Sequence, residues 1–307
     1  MIKIVEDGPR DGLQNEKTLV PTSIKVELVN RLSAAGITHI EATSFVSPKW
    51  VPQLADAADV MRQITRQSGT TYSALVPNMK GFASALSAKV DEVVIFTAAS
   101  ETFSQKNTNC SIAESFARFA PIASAAKQNH VRLRGSISCA LGCPYQGEVP
   151  VFAVAEMVRR LCDLGCDEID IADTIGVGTA NQVIAVIRAA AQEFSIDRLA
   201  GHYHDTFGQA LANILASLEV GLSIFHSSVA GLGGCPFAQG ATGNVATEDL
   251  LYLLRGLGLE TGISLDEIVH TGDFISQAIG RESASRAGRA LLAKSRSLML
   301  SPQEPSV

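Results

Sequence analysis

The sequence predicts an α/β fold, a (β/α)8 or TIM barrel with additional C-terminal helices, and three observations carry that expectation. Eight short apolar or β-branched runs recur along the chain, each followed by a helix-compatible stretch, as parallel strands joined by helical crossovers require. Successive runs start between 21 residues (Thr71 to Glu92) and 40 residues (Glu92 to Arg132) apart, the length of a strand plus a helix. Eight such units match the roughly 250 residues of a barrel. Several runs also end in charged or imidazole side chains, and barrel active sites form at the C-terminal ends of the strands. A doubly wound open sheet is the alternative that the same alternation allows.

The first run, IKIVEDG from Ile2, leads into Glu6, Asp7, Arg10 and Asp11. A helix over 22–35 follows, with Thr22 as its N-cap and Gly36 just past its end. The second run, HIEATSF from His39, carries Glu41. TYSALVPN from Thr71, EVVIFTAAS from Glu92 and RLRGSISCA from Arg132 are the next three. A helix over 150–164 leads to EIDIADTIG from Glu168, which ends at Asp173, and a helix over 179–193 leads to LAGHYHDTFG from Leu199. The eighth run, IFHSSVAGLGG from Ile224, opens into a glycine-rich loop. Residues 258–307 break this rhythm and hold SASRAGRALLAKSRS, expected as helices packed on the barrel. No linker or internal repeat divides the chain, so one domain is expected, with the barrel over about 1–257 and a helical extension over about 258–300.

A net charge of −6 supplies no positive field for nucleic acid or an anionic membrane. No apolar run approaches the roughly 20 residues that cross a bilayer. The chain opens on a strand-like alternation instead of a signal segment, which sets a cytoplasmic location as the expectation. Six cysteines over 307 residues form no framework of short spacings, so they are expected as reduced thiols. Cys139 and Cys143, like Cys162 and Cys166, suit small buried hydrophobes better than a metal site; Cys110 has no assigned role.

His202 and His204 lie two apart, so both imidazoles leave a strand on the same side and converge inside a barrel. With Asp11 they make a mixed nitrogen and oxygen set suited to Mg²⁺ or Mn²⁺, and Zn²⁺ accepts the same donors. A His-x-His pair also describes two buried, hydrogen-bonded histidines; its place directly before Asp205 and Thr206 favours the metal. In GPRDGLQNE, Arg10 beside Asp11 reads equally as a guanidinium poised for a developing oxyanion or as a surface ion pair. Residues 228–244 hold five glycines and Cys235 without a phosphate-binding arrangement. They read as a lid delivering a thiol proton donor, or as a structural loop with an inert thiol.

GPRDGLQNEK, EATSFVSPKWVPQ, SCALGCPYQG, DTIGVGT, HDTFGQALAN and SVAGLGGCPFAQGATGNVATEDL together resemble 3-hydroxy-3-methylglutaryl-CoA lyases, over residues 6 to about 255. The resemblance implies a TIM barrel that cleaves 3-hydroxy-3-methylglutaryl-CoA to acetyl-CoA and acetoacetate with Mg²⁺ or Mn²⁺, and no organic cofactor beyond the CoA of the substrate. It implies Asp11, His202, His204 and Asn244 as metal ligands, and Arg10, Gln14 and Ser136 as substrate contacts. Arg10 would stabilise the thioester enolate, Glu41 and Asp173 would order the metal site and substrate, and Cys235 would help protonate the enolate. It also implies a homodimer or larger homo-oligomer.

The sequence departs from the family pattern at Ser136, in place of a frequent tyrosine, and at Asp170 and Ala172, in place of a Ser-Leu-Gly run. His226 stands where an aspartate precedes Ser-Ser-Val-Ala-Gly. These changes spare the implied ligands and bear on the acyl group, which leaves a related branched 3-hydroxyacyl-CoA as an alternative substrate. A Claisen-type synthase joining acetyl-CoA to a 2-oxo acid shares the barrel and the metal; the Cys235 loop favours cleavage, and no large effector domain is expected with only residues 258–307 after the barrel. A Schiff-base aldolase needs a lysine at a strand end, and none of the eight runs ends in one. A barrel kept only as a binding module would be expected to have a broken ligand set.

Overall fold

The structure is a computed structural model that describes the backbone of residues 1–235 and 238–300 and the side chains of 1–234 and 243–297. Eight parallel strands close into a barrel: β1 (Lys3–Glu6), β2 (His39–Ser44), β3 (Thr71–Leu75), β4 (Glu92–Ala98), β5 (Arg132–Ser138), β6 (Glu168–Asp173), β7 (Leu199–Tyr203) and β8 (Ile224–Ser227). Each pairs with its neighbours in sequence, and β1 closes on β8 with Val5 opposite His226. All eight expected runs are strands, and the closed order excludes the open sheet.

Helices α1 (Thr22–Ala34), α2 (Ala57–Gln63), α3 (Met79–Ser87), α4 (Glu101–Thr108), α5 (Ile112–Gln128), α6 (Val151–Asp163), α7 (Ala180–Glu193), α8 (Ala210–Glu219) and α9 (Thr247–Gly256) surround the barrel. The expected C-terminal helices are α10 (Leu265–Ile279) and α11 (Arg286–Leu300); α10 packs against α1, with Arg31 4.3 Å over the Phe274 ring. Thr22 is not the cap of α1. Pro21 takes that place with an extended backbone, and Thr22 is the first helical residue, spending its hydroxyl on Asp56 at 2.7 Å. No helix among the described residues is long and apolar enough to cross a membrane.

Strand alternation divides the side chains into two sets. One set, including Ile4, Ile40, Ile95, Ile137, Ile169 and Phe225, joins Leu28 and Leu32 of α1 in a buried core between strands and helices. The other faces the barrel interior and is unusually polar: Glu41, Arg134, Asp170, His202 and His226 are all buried there. Buried charges persist only when paired, and this interior is organised by such pairs.

Cys139, Cys143 and Cys166 are buried as expected, whereas Cys162 is only half-buried; Cys110, which had no assigned role, is buried too, and burial pushes the thiols of Cys139 and Cys166 far above the ordinary range. The glycine loop contains a short antiparallel pair, β9 (Gly234–Cys235) with β10 (Ala238–Thr242). Close packing explains one of its glycines: a Cβ on Gly243 would lie 2.8 Å from the Gly234 nitrogen.

Candidate active site

After β1 the chain makes a tight π-helical turn, Gly8–Gly12, in which the Asp7 carbonyl accepts from the backbone N–H of Arg10, Asp11 and Gly12. Such turns recur at functional sites because they re-aim side chains. Glu6 anchors the turn from outside the barrel: Oε1 accepts from Gly8 N and Val229 N, both at 2.8 Å, and Oε2 from Thr247 Oγ1 at 2.6 Å. Gly12 is required by close approach, since a Cβ would lie 2.7 Å from both Leu232 Cβ and Ser228 Oγ.

The turn delivers Arg10 and Asp11 to the floor of a cavity of about 770 Å³ at the C-terminal mouth, also lined by Gln14, Ser136, His202 and His204. Arg10 donates through Nε to Glu41 and through Nη1 to Asp11 Oδ1 at 2.7 Å. Asp11 Oδ1 also accepts from Gln14 Nε2 at 2.7 Å, and Oδ2 from Asn244 Nδ2 at 2.8 Å. Burial opposes ionisation of Asp11, but Arg10, then His202 and His204, overcome it and hold the carboxyl below its ordinary value. Glu41 is sandwiched between Arg10 and the fully buried Arg134. With both oxygens engaged it holds Arg10 in place and is no free base. Removing either arginine would leave one buried oxygen of Glu41 without its donor while the other stayed paired, a loss of about 1–3 kcal/mol.

His202 ends the inward set of β7, whereas His204 lies one residue beyond the strand. Residues 243–245 run antiparallel beside 203–205, with Asp205 N donating to Gly243 O at 2.7 Å, which sets Asn244 opposite His204. One ligand atom each from Asp11, His202 and His204 lie within 4.8 Å of one another. The His204 Nε2 is 3.9 Å from Asp11 Oδ2, and its Nδ1 is buried without a partner. Burial, then the positive field of His202, pushes the His204 pKa down to about 4, so the ring is neutral as a ligand must be. A divalent cation fits this donor set. Asn244 presents its nitrogen to Asp11, so its Oδ1 would reach a cation only after the amide turned over.

Asp173 is placed differently from the metal-ordering role that the resemblance implies. It sits out of phase with the inward Asp170 and Ala172 on β6, and its carboxylate accepts from Val177 N at 3.1 Å and Gly178 N at 2.8 Å. It braces the loop after β6, and burial pushes its pKa up to about 6. Ser136 lines the cavity and donates to Asp170 Oδ1 at 2.6 Å. The side chain of Cys235 lies outside the described residues.

Three residues take parts in the site that the sequence does not assign: Asp7 is there only a charge at a strand end, His226 only a departure bearing on the acyl group, and Arg134 is not singled out. Asp7 accepts from both His202 (3.2 Å) and His226 (2.8 Å), and Arg134 reaches from β5 to His226 and Glu41. Asp7, Arg134 and His226 share the inward phase of their strands, which is the signal that would have found them. Burial opposes protonation of His202, but Asp7 overcomes it and raises the pKa to about 9 in the absence of a cation.

The family model described as HMGL-like matches residues 1–275. A Pseudomonas aeruginosa protein named 3-hydroxy-3-isohexenylglutaryl-CoA/hydroxy-methylglutaryl-CoA lyase is 56% identical, covering 95% of this chain and 98% of its own. The crystal structure of hydroxymethylglutaryl-CoA lyase from the same organism superposes with a TM-score of 0.94 at 56% identity, over 95% of this chain and 98% of that one. An Acinetobacter baumannii HMG-CoA lyase, solved with coenzyme A and 3-methylmalate, is 37% identical with a TM-score of 0.91 over 94% and 95% of the two chains. With the barrel, the Arg10–Asp11 turn and the paired histidines in place, the chain belongs to the HMGL-like family.

Proposed function

We propose that the protein is a divalent-metal-dependent carbon–carbon lyase that cleaves 3-hydroxy-3-methylglutaryl-CoA to acetyl-CoA and acetoacetate. The observation that carries this reading is the convergence of Asp11, His202 and His204 beside the Arg10 guanidinium on the floor of one cavity. An acyl-CoA substrate agrees with the similarity to lyases acting on CoA thioesters. A homodimer or larger homo-oligomer and a cytoplasmic location belong to the same reading.

In the reaction the C3 hydroxyl loses its proton, the C2–C3 bond breaks, C3 becomes the ketone of acetoacetate, and its electron pair passes into the thioester as an enolate. That enolate takes a proton at C2 to give acetyl-CoA. A bound Mg²⁺ or Mn²⁺ would supply Lewis-acid polarisation of the substrate oxygens, held by Asp11, His202, His204 and, after rotation of its amide, Asn244. The base that takes the C3 hydroxyl proton is assigned to the shell of groups around the cation, where Asp11 is held ionised and His204 neutral. Arg10 keeps its Nη2 free of hydrogen bonds among the described residues while Glu41 and Asp11 fix the rest of the fork. A rigid cation of that kind stabilises the enolate oxygen without reorganising. Glu41 and Asp173 act through others, the first on Arg10 and the second on the loop after β6. Gln14 and Ser136 line the cavity as substrate contacts, and Cys235 is assigned the protonation of the enolate.

A second substrate, a 3-hydroxyglutaryl-CoA with a longer apolar branch at C3, is favoured by one observation. Ser136 is a small residue on a cavity wall that also holds Phe96 and Phe119. Acetyl-CoA release by metal-stripped protein, with and without Mn²⁺ or Mg²⁺, tests both readings on a panel of 3-substituted thioesters. Metal-dependent cleavage of the methyl compound is expected, and no cleavage of any panel member would refute the lyase assignment.

A further inference from the structure

We propose that His226 is a positioning residue, locked between Arg134 and Asp7, that fixes His202 with its Nδ1–H on Asp7 and its Nε2 presented to the divalent cation. The inference rests on the metal-dependent reading above and deepens it. His226 stands on β8 in register with Val5 of β1 and His202 of β7, and its side chain is buried beneath the cavity. Arg134, fully buried on β5, reaches across the barrel to place Nη1 3.0 Å from His226 Nε2. His226 Nδ1 lies 2.8 Å from Asp7 Oδ2, and His202 Nδ1 lies 3.2 Å from the same oxygen.

Donor and acceptor chemistry orders this chain. Arg134 Nη1 lies over the ring, 3.0 Å from Nε2 and 3.4 Å from Nδ1, and a group with donors only disfavours a hydrogen on the nearer nitrogen, while the acceptor 2.8 Å from Nδ1 calls for one there. A neutral imidazole then has its hydrogen on Nδ1, directed at the Asp7 carboxylate. Two Nδ1 atoms 3.4 Å apart, with one already bearing a hydrogen aimed at Asp7, leave His202 Nδ1 no acceptor in His226. Its N–H goes to Asp7 as well, and the lone pair available for a cation is on Nε2. Carboxylates that orient a metal-ligating histidine in this way raise its basicity and fix its ring. Asp7 is that carboxylate here, and Arg134 and His226 hold it. An inverted His226 ring would set an N–H against the guanidinium and take the hydrogen from Asp7.

The test is Mn²⁺ affinity of metal-stripped protein, read from the free-ion paramagnetic resonance signal and therefore independent of turnover. His226→Leu removes both contacts and is expected to weaken Mn²⁺ binding by about 10- to 100-fold. His226→Gln, which can offer its oxygen to Arg134 and an N–H to Asp7, is expected to stay within about threefold of wild type. Equal affinity in folded His226→Leu and wild type would overturn the positioning role, as would a His226→Gln variant as weak as His226→Leu. Stoichiometric Mn²⁺ binding by wild type is expected, and its absence would overturn the metal reading and this inference with it. Should His226→Leu not fold, the ¹⁵N spectrum of histidine-labelled wild type decides. A hydrogen on His226 Nδ1 alone is expected, and one on Nε2 overturns the proposal.

Discussion

Glu248, near the start of α9, offers a quantitative check on the packing beneath the site. Its carboxyl is buried, and both oxygens lie 3.0 Å from the Ala230 backbone N–H. Burial, chiefly, pushes its pKa from 4.5 to about 8, and the neighbouring carboxyl of Glu6 adds to the rise. Between those two values the folded protein holds a proton that the unfolded chain has lost. The stabilising contribution is therefore complete below about pH 4.5 and is lost as pH rises toward about 8. The slope for one such group is about 1.4 kcal/mol per pH unit, or about 3 kcal/mol between about pH 5 and pH 7. Glu248→Gln preserves shape and an acceptor for Ala230 but cannot titrate, so its unfolding free energy should fall less steeply by that amount. Urea unfolding across about pH 5 to 8, followed by circular dichroism, measures it; the single tryptophan, Trp50, is 83% exposed and a poor reporter. Glu6, raised to about 7 by burial, leaves a residual slope in the variant. Parallel stability curves for variant and wild type would refute the reasoning.

Arg10→Lys keeps the charge but loses the fork that spans Glu41 and Asp11, and it should lower kcat by about 10²–10³. Mn²⁺ affinity should change far less; steady-state acetyl-CoA release and ion titration separate the two effects. Gly12→Ala forces a Cβ against Leu232 and Ser228 and should cost about 1–3 kcal/mol in urea unfolding while displacing the Arg10–Asp11 turn, so that kcat falls as well. Cys235→Ser should lower kcat with unchanged Mn²⁺ affinity, because the thiol is assigned to proton transfer alone; full turnover in the serine variant would remove that role.

Much of the site was legible because strand phase is a local property. In LAGHYHDTFG the two-residue spacing of His202 and His204 put both rings on one side, and the structure keeps them together although the strand ends at Tyr203. The GPRDG turn placed Arg10 beside Asp11 at a strand end, where they meet at 2.7 Å. The same phase argument, carried one residue further, separates Asp173 from Asp170 and explains why Asp173 braces a loop while Asp170 faces inward. Thr22 looked like a cap because hydroxyl residues commonly are, but the proline before it already had the required extended backbone.

The sequence by itself determined the eight strands, their inward and outward faces, and the residues brought to the mouth, since hydrophobic period and crossover length are written into adjacent positions. Only the tertiary structure decided which inward groups touch. Asp7 meets His226 across 219 residues, Asn244 meets Asp11 across 233, and Arg134 spans the barrel from β5 to β8. Those contacts depend on barrel closure and on the register of β8 against β1. Closure and register place groups far apart in the chain within hydrogen-bonding distance, and no local pattern encodes that distance.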